Sequence, residues 1–230
     1  MSKWNLDNVV GNTLIWNSLG WNVEDRRKNK DKDIFISPQA TLADDVRLVW
    51  RKGYPIIINS KTIILSGSII YWGTKIGEKC RFGNDVFIRE RCKIGNNVTV
   101  GTKSIVEWNA EIGDDTLIEG SAFISEATRI GKNCFISPNV VFTSDKMMDG
   151  KPYYYDDDGL RNCTGASTVE DNVKIGANTT ILPEITIGHD SIISAGCTVV
   201  EDVPPNSIMI AKGVKAMPYK PRDYSRELAK

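Results

Sequence analysis

The chain has 230 residues, and 29 Lys plus Arg against 29 Asp plus Glu leave a formal charge of zero. That balance removes the field that would hold a phosphate backbone or an anionic membrane surface, so neither nucleic acid nor a membrane is an expected partner. With 41% hydrophobic and 25% charged residues the chain can bury a core, and its single His excludes any site needing several imidazoles from one chain.

Residues 1–33 form an N-terminal extension without an obvious period. Leu6, Val9, Val10, Thr13, Leu14 and Ile15 predict one face of a short helix, and Trp4, Trp16 and Trp21 call for a cover. Residues 24–33 read as a solvated linker. The opening MSKWNLDNVVGNTLIW lacks the basic-then-apolar layout of a signal peptide, and no apolar run nears the roughly 18 residues of a membrane span. Five Cys with no CxxC pair fit reduced thiols, so a cytoplasmic protein is expected.

From residue 34 a repeat of six takes over. Steps of six from Ile58 land on Ile64, Ile70, Ile76, Phe82, Ile88, Ile94, Val100, Val106, Ile112, Ile118, Ile124, Ile130, Ile136 and Phe142. The residue four places after each is small or β-branched, as in Thr62, Ser68, Thr74, Cys80, Val86, Cys92 and Val98. A helix cannot produce this, because six is not a multiple of 3.6 and the apolar spoke would wander around the axis. Short strands separated by tight turns can. Three hexads then close one triangular coil, and coils stack at about 4.8 Å through parallel ladders. The expected fold is all-β: a parallel β-helix over residues 34–215. Cys80, Cys92, Cys134 and Cys197 occupy the small inward slot, where a thiol is a compact apolar group, and only Cys163 falls off register.

Residues eighteen apart should stack on one edge. The first edge reads Asn59, Gly77, Gly95, Gly113 and Gly131, an ordinary turn column. The third reads Tyr71-Trp72-Gly73, Arg89-Glu90-Arg91, Glu107-Trp108-Asn109, Ser125-Glu126-Ala127 and Thr143-Ser144-Asp145. Turn chemistry gives way there to aromatic, carboxylate and guanidinium groups, as expected where side chains meet a ligand or a neighbour. Residues 143–168 then interrupt the repeat with a long loop that carries three consecutive Tyr, Tyr154 in the middle, and three consecutive Asp. The pattern resumes at Val169 and runs to Val199. Pro204 and Pro205 are expected to stop the ladder, and residues 216–230 form a polar tail with a short helix.

The repeat resembles the hexapeptide-repeat acyltransferase superfamily, whose resemblance implies a left-handed winding. The stretches FISPNVVFTSDK (135–146), TVEDNVKIGANTTILPEITIG (168–188) and SAGCTVVEDVPPNSIMIAKGVK (194–215) are most similar to nucleotide-amino-sugar N-acetyltransferases. The resemblance implies acetyl-CoA as co-substrate, no metal, a homotrimer with sites between subunits, and the amine of a nucleotide-linked amino sugar as acceptor. Carried over by position, Ala177, Ser194 and Ala195 would line the pantetheine arm, and Lys212 and Lys215 would approach the cofactor phosphates. Ser144 stands where the family has Asn, and Val200-Glu201 stands where it often has Thr-Lys. Candidate proton acceptors are Glu107 and Asp145, with Arg89, Trp108, Asn109, Ser144 and Tyr154 as substrate contacts. An amine needs no His base to attack a thioester, whereas a hydroxyl usually does, and His189 reads as a solvated turn residue. A sugar O-acetyltransferase and a non-catalytic solenoid are the alternatives. A γ-class carbonic anhydrase would need three His per site.

Overall fold

A computed structural model describes residues 33–145 and 165–211, together with the strands Val9–Val10, Thr13–Ile15 and Met217–Pro218. The tail beyond residue 218, most of the inserted loop, and with them Tyr154, Cys163, Lys212 and Lys215 lie outside the described residues.

Short strands alternate with connections of mostly four residues and wind into a left-handed parallel β-helix of about nine turns. Its first face runs from Ile34–Ile36 to Thr186–Ile187, its second from Thr41–Leu42 to Ser207–Met209, and its third from Arg47–Val49 to Thr198–Val199. Register is eighteen residues per coil: Ile58 pairs with Ile76, Phe82 with Val100, and Ile88 with Val106. The large residue of each hexad points inward. Ile64, Ile70, Ile76, Ile88, Val106 and Ile118 are all fully buried in one continuous core. Each such side chain contributes roughly 1.5–3 kcal/mol, which together oppose the entropy of ordering the chain.

The small slot has a second task. Thr62, Ser68, Thr74, Ser104 and Thr116 each donate a hydroxyl to the first corner carbonyl of the next coil, at 2.8–3.0 Å. The same oxygens accept amides such as Cys80 N–H and Val86 N–H. The slot thiols follow suit, with Cys80 Sγ reaching the Gly95 carbonyl at 3.1 Å and Cys92 Sγ the Glu107 carbonyl at 3.0 Å. Expectation of mere apolar packing for these Cys is therefore incomplete: the thiol replaces the hydroxyl as a weak donor. Burial pushes the Cys134 thiol up to about 11 and the Cys92 thiol well above its ordinary value, so both stay protonated.

Two expectations need correction. Val9–Val10 and Thr13–Ile15 are strands where a helix was expected: they pair antiparallel, and the second pairs antiparallel with Arg47–Val49. An open ladder end offers unpaired amides and carbonyls, and β-branched Val9, Val10, Thr13 and Ile15 suit the strand that covers it. The proline pair does not stop the coils. Val203 bridges Ile187, and Ser207–Met209 pairs with Ile192–Ile193. The coil is two residues shorter there, so Pro204 and Pro205 fall in a corner, where no ladder amide is required. Met217–Pro218 is a strand antiparallel to Ser207–Met209, closing the other end, and the helix expected in the tail lies outside the described residues. The inserted loop leaves after Asp145 and returns at Gly165, whose Cα is pressed against Ser144 so closely that a Cβ would run into the Ser144 carbonyl. Ser167 then fills the slot, and Thr168 pairs with Arg129, thirty-nine positions back instead of eighteen.

If the inward spoke holds the coils together, Ile118→Ala should cost about 2–5 kcal/mol of stability and Lys93→Ala, on the charged first face, under about 0.5. Midpoints of chemical denaturation check this; equal shifts would contradict it.

Candidate functional site

The third edge, where face three turns into the next coil, is continuous. Arg89 N–H bonds the Val106 carbonyl and Glu107 N–H the Ile124 carbonyl, both at 2.8 Å, so Arg89, Glu107 and Ser125 share one column as expected. The corner residues that hold them pay in backbone conformation. Arg91, Ala127 and Glu184 adopt φ of 60°, 54° and 65°, where the other edges place mostly Asn, Asp or Gly.

At the centre of the column Arg89 makes a two-point bond to Glu90, Nε to Oε2 at 2.8 Å and Nη2 to Oε1 at 3.3 Å. Its Nη1 lies 3.5 Å from Glu107 Oε2. Glu126, one coil further, is only 7% exposed. Burial raises the Glu107 carboxyl above its ordinary value; Arg89 opposes the shift, and Glu126 and Glu90 add to it. Asn109 sits at the corner after Glu107, its amide donating to the Glu90 carbonyl at 2.8 Å. Trp108, expected to meet a ligand, is 3% exposed, and its Nε1 has no hydrogen-bond partner. It is a wall between the Glu90 and Glu126 corners of the same column, not an open platform.

Two coils on, Thr143, Ser144 and Asp145 open a groove of about 690 Å³ with Leu182, Pro183, Glu184, Val200, Glu201 and Asp202. From the coil spacing, Glu107 and Asp145 stand about 10 Å apart along the edge. The structure thus brings Arg89, Glu107, Asn109, Ser144 and Asp145 onto one edge. It does not bring the expected cofactor contacts there. Ala177, Ser194 and Ala195 occupy the second edge, on the far side of face three. The amides of Ala177 and Ala195 donate no hydrogen bond among the described residues. His189 is on the first edge, with Nδ1 2.7 Å from Asp190 Oδ2 and a side chain 48% exposed. Sequence reasoning placed Glu90 and Glu126 in the column without nominating them. Their eighteen-residue distance from Trp108 was the available signal.

Residues 73–107 and 166–200 match the bacterial transferase hexapeptide (six repeats) family. In those two segments the chain is similar to the hexapeptide-repeat transferases. Over 58 residues it is 43% identical to a 2,3,4,5-tetrahydropyridine-2,6-dicarboxylate N-acetyltransferase of Clostridium perfringens, covering 24% of this chain and 25% of that one. Over 55 residues it is 40% identical to the bifunctional protein GlmU of Geobacter metallireducens, 24% of this chain and 11% of that one. These matches span a quarter or less of each relative. The solved polysialic acid O-acetyltransferase OatWY has the same fold, with a TM-score of 0.50 at 18% identity over 81% of this chain and 84% of that one.

The raised Glu107 carboxyl fixes a sign. In the unfolded chain it ionises around pH 4.5, whereas the folded chain keeps the proton to higher pH. Between those values the native state binds more protons, so its contribution to stability falls as pH rises. Melting temperature against pH should therefore decline more steeply above pH 4.5 in the wild type than in Glu107→Gln; parallel curves would remove the shift.

Proposed function

We propose that the protein is an acetyl-CoA-dependent N-acetyltransferase acting on the amine of a nucleotide-linked amino sugar. The observation that carries this reading is the third edge itself: a carboxylate column in which burial makes Glu107 more basic despite its pairing with Arg89, running into an open groove with Asp145. The name of the Clostridium perfringens N-acetyltransferase match supports the reaction class.

The chemistry follows from the groups present. The acceptor's neutral amine attacks the thioester carbonyl carbon; the C–N bond forms as electrons move to oxygen. The oxyanion collapses, the C–S bond breaks, and the amine's proton passes to Glu107 or Asp145 or to the departing sulfur. A carboxylate made more basic by burial accepts that proton more readily near neutral pH. The unspent amides of Ala177 and Ala195 suit the carbonyl groups of a pantetheine arm. A His base has no place on this edge, since the only His sits on another. That favours an amine over a hydroxyl acceptor.

The two halves of this site flank face three. Its outward residues Ile69, Phe87, Ile105, Phe123 and Val141 form a ladder of half-buried apolar side chains, whereas the first face presents Lys75, Lys93, Glu111 and Arg129. Packing face three against a second copy would cover the stripe and set the third edge of one chain beside the second edge of its neighbour, so a homotrimer belongs to this reading.

Two experiments test it. Thiol release from acetyl-CoA across nucleotide-linked amino sugars should find an acceptor. Glu107→Gln and Asp145→Asn should then lower kcat/KM about a hundredfold or more, and His189→Ala should leave it unchanged. Unchanged rates in both amide variants would remove those residues from the mechanism. Separately, light scattering should give a trimer for the wild type and a smaller species for Phe123→Glu; a monomeric wild type would sink the shared site.

A further inference from the structure

The opposite end of the same edge carries a different chemistry. In the first coil Ile56 pairs with Ile34, twenty-two positions back instead of eighteen, so four extra residues swell the corner. This corner, Trp50 to Pro55, folds back on itself, with Tyr54 N–H bonded to the Arg51 carbonyl at 3.1 Å and Gly53 at φ 83°. The turn delivers Tyr54 to Trp72 of the next coil, ring centroids 4.7 Å apart and planes at 62°. Two guanidinium groups bracket that pair. Arg51 Cζ lies 5.0 Å from both ring centroids, and Arg91 Cζ lies 5.0 Å from Tyr54 and 5.5 Å from Trp72.

The rings engage the faces of the guanidinium groups, and a guanidinium binds oxyanions through its in-plane N–H groups. Arg51 is exposed, and its side chain makes no ion pair or hydrogen bond among the described residues, so its donors are unspent. Arg89, two corner positions before Arg91, faces the carboxylates, bonded to Glu90 and 3.5 Å from Glu107. The cluster therefore offers the unspent donors of Arg51 beside half-buried aromatic surface, with Arg91, a second cation stacked on the same rings, one coil from Glu107.

We infer that Arg51, Tyr54, Trp72 and Arg91 form a diphosphate-binding subsite that takes the nucleoside diphosphate portion of the acceptor. This rests on the acetyl-transfer reading for the acceptor's identity. Coil geometry favours the acceptor over CoA as the source of the diphosphate. A sugar attached to a diphosphate at Arg91 needs to reach only one coil, about 4.8 Å, to meet Glu107, whereas Ala177 and Ala195 lie on another edge several coils away. Arginine is the suited residue, because its planar fork meets two phosphate oxygens at once.

Calorimetry on the full chain, without acyl donor, tests the subsite with UDP, dTDP, inorganic pyrophosphate and CoA. UDP or dTDP should bind, pyrophosphate should compete, and Arg51→Gln should weaken nucleotide binding about tenfold or more while CoA binding is unchanged. Trp72→Phe should retain binding better than Trp72→Ala, and thermal melts confirm that each variant is folded. Should Arg51→Gln fail to fold, competition by pyrophosphate against UDP on the wild type still decides. Nucleotide affinity unaltered in folded Arg51→Gln, loss of CoA binding instead, or absence of competition by pyrophosphate would overturn the inference. Full-rate acetylation of an amino sugar lacking a diphosphate would overturn it too, yet leave the acetyltransferase reading standing.

Discussion

A parallel ladder that joins each residue to the one eighteen positions on is the constraint beneath everything else in this molecule. It turns linear spacing into vertical stacking, so that three faces and three edges each become a column of chemically comparable positions. Inward spokes fill the core, slot hydroxyls and thiols tie one coil's corner to the next, and edges are left to carry whatever the backbone can tolerate. Because every coil covers its neighbour, the ends are the weak points. Both are closed by antiparallel strands, one on face three and one on face two.

The third edge shows what that tolerance is used for. Left-handed corner conformations are inexpensive for Gly and Asn and costly for Arg or Ala, of order 1 kcal/mol each. The chain nonetheless places Arg91, Ala127 and Glu184 there. Charge follows the same axis. Guanidinium groups stacked on rings occupy the early coils, a carboxylate column with a single bridging arginine the middle, and a groove with four carboxylates the late coils. A ligand laid along this edge would meet cations first and proton acceptors later, an order that suits a phosphorylated end and a reacting amine.

Much of this was legible in the residues. Ile58 to Phe142 could be counted, and the stacking of Arg89 over Glu107 followed from the count. Val9 to Ile15 could not be read correctly, because a short apolar stretch fits helix or strand, and the strand it pairs with lies more than thirty residues away. Pro204 and Pro205 were misplaced for a related reason: whether a proline breaks a ladder or sits in a corner depends on a two-residue shortening visible only in the pairing of Ile187 with Val203. The Arg51–Tyr54 turn escaped because its four extra residues put it outside the hexad register.

By itself the sequence determined the coil, its core and the membership of each edge as far as the inserted loop, since a six-residue period with strand-forming residues has one way to bury its apolar spoke. Only the tertiary structure decided how the ends are capped, that Trp108 is buried while Arg51 and Arg91 bracket Tyr54 and Trp72, and that the two proposed halves of the site face away from each other across face three. Those features depend on side-chain direction and on pairing between distant segments, and spacing along a chain carries neither.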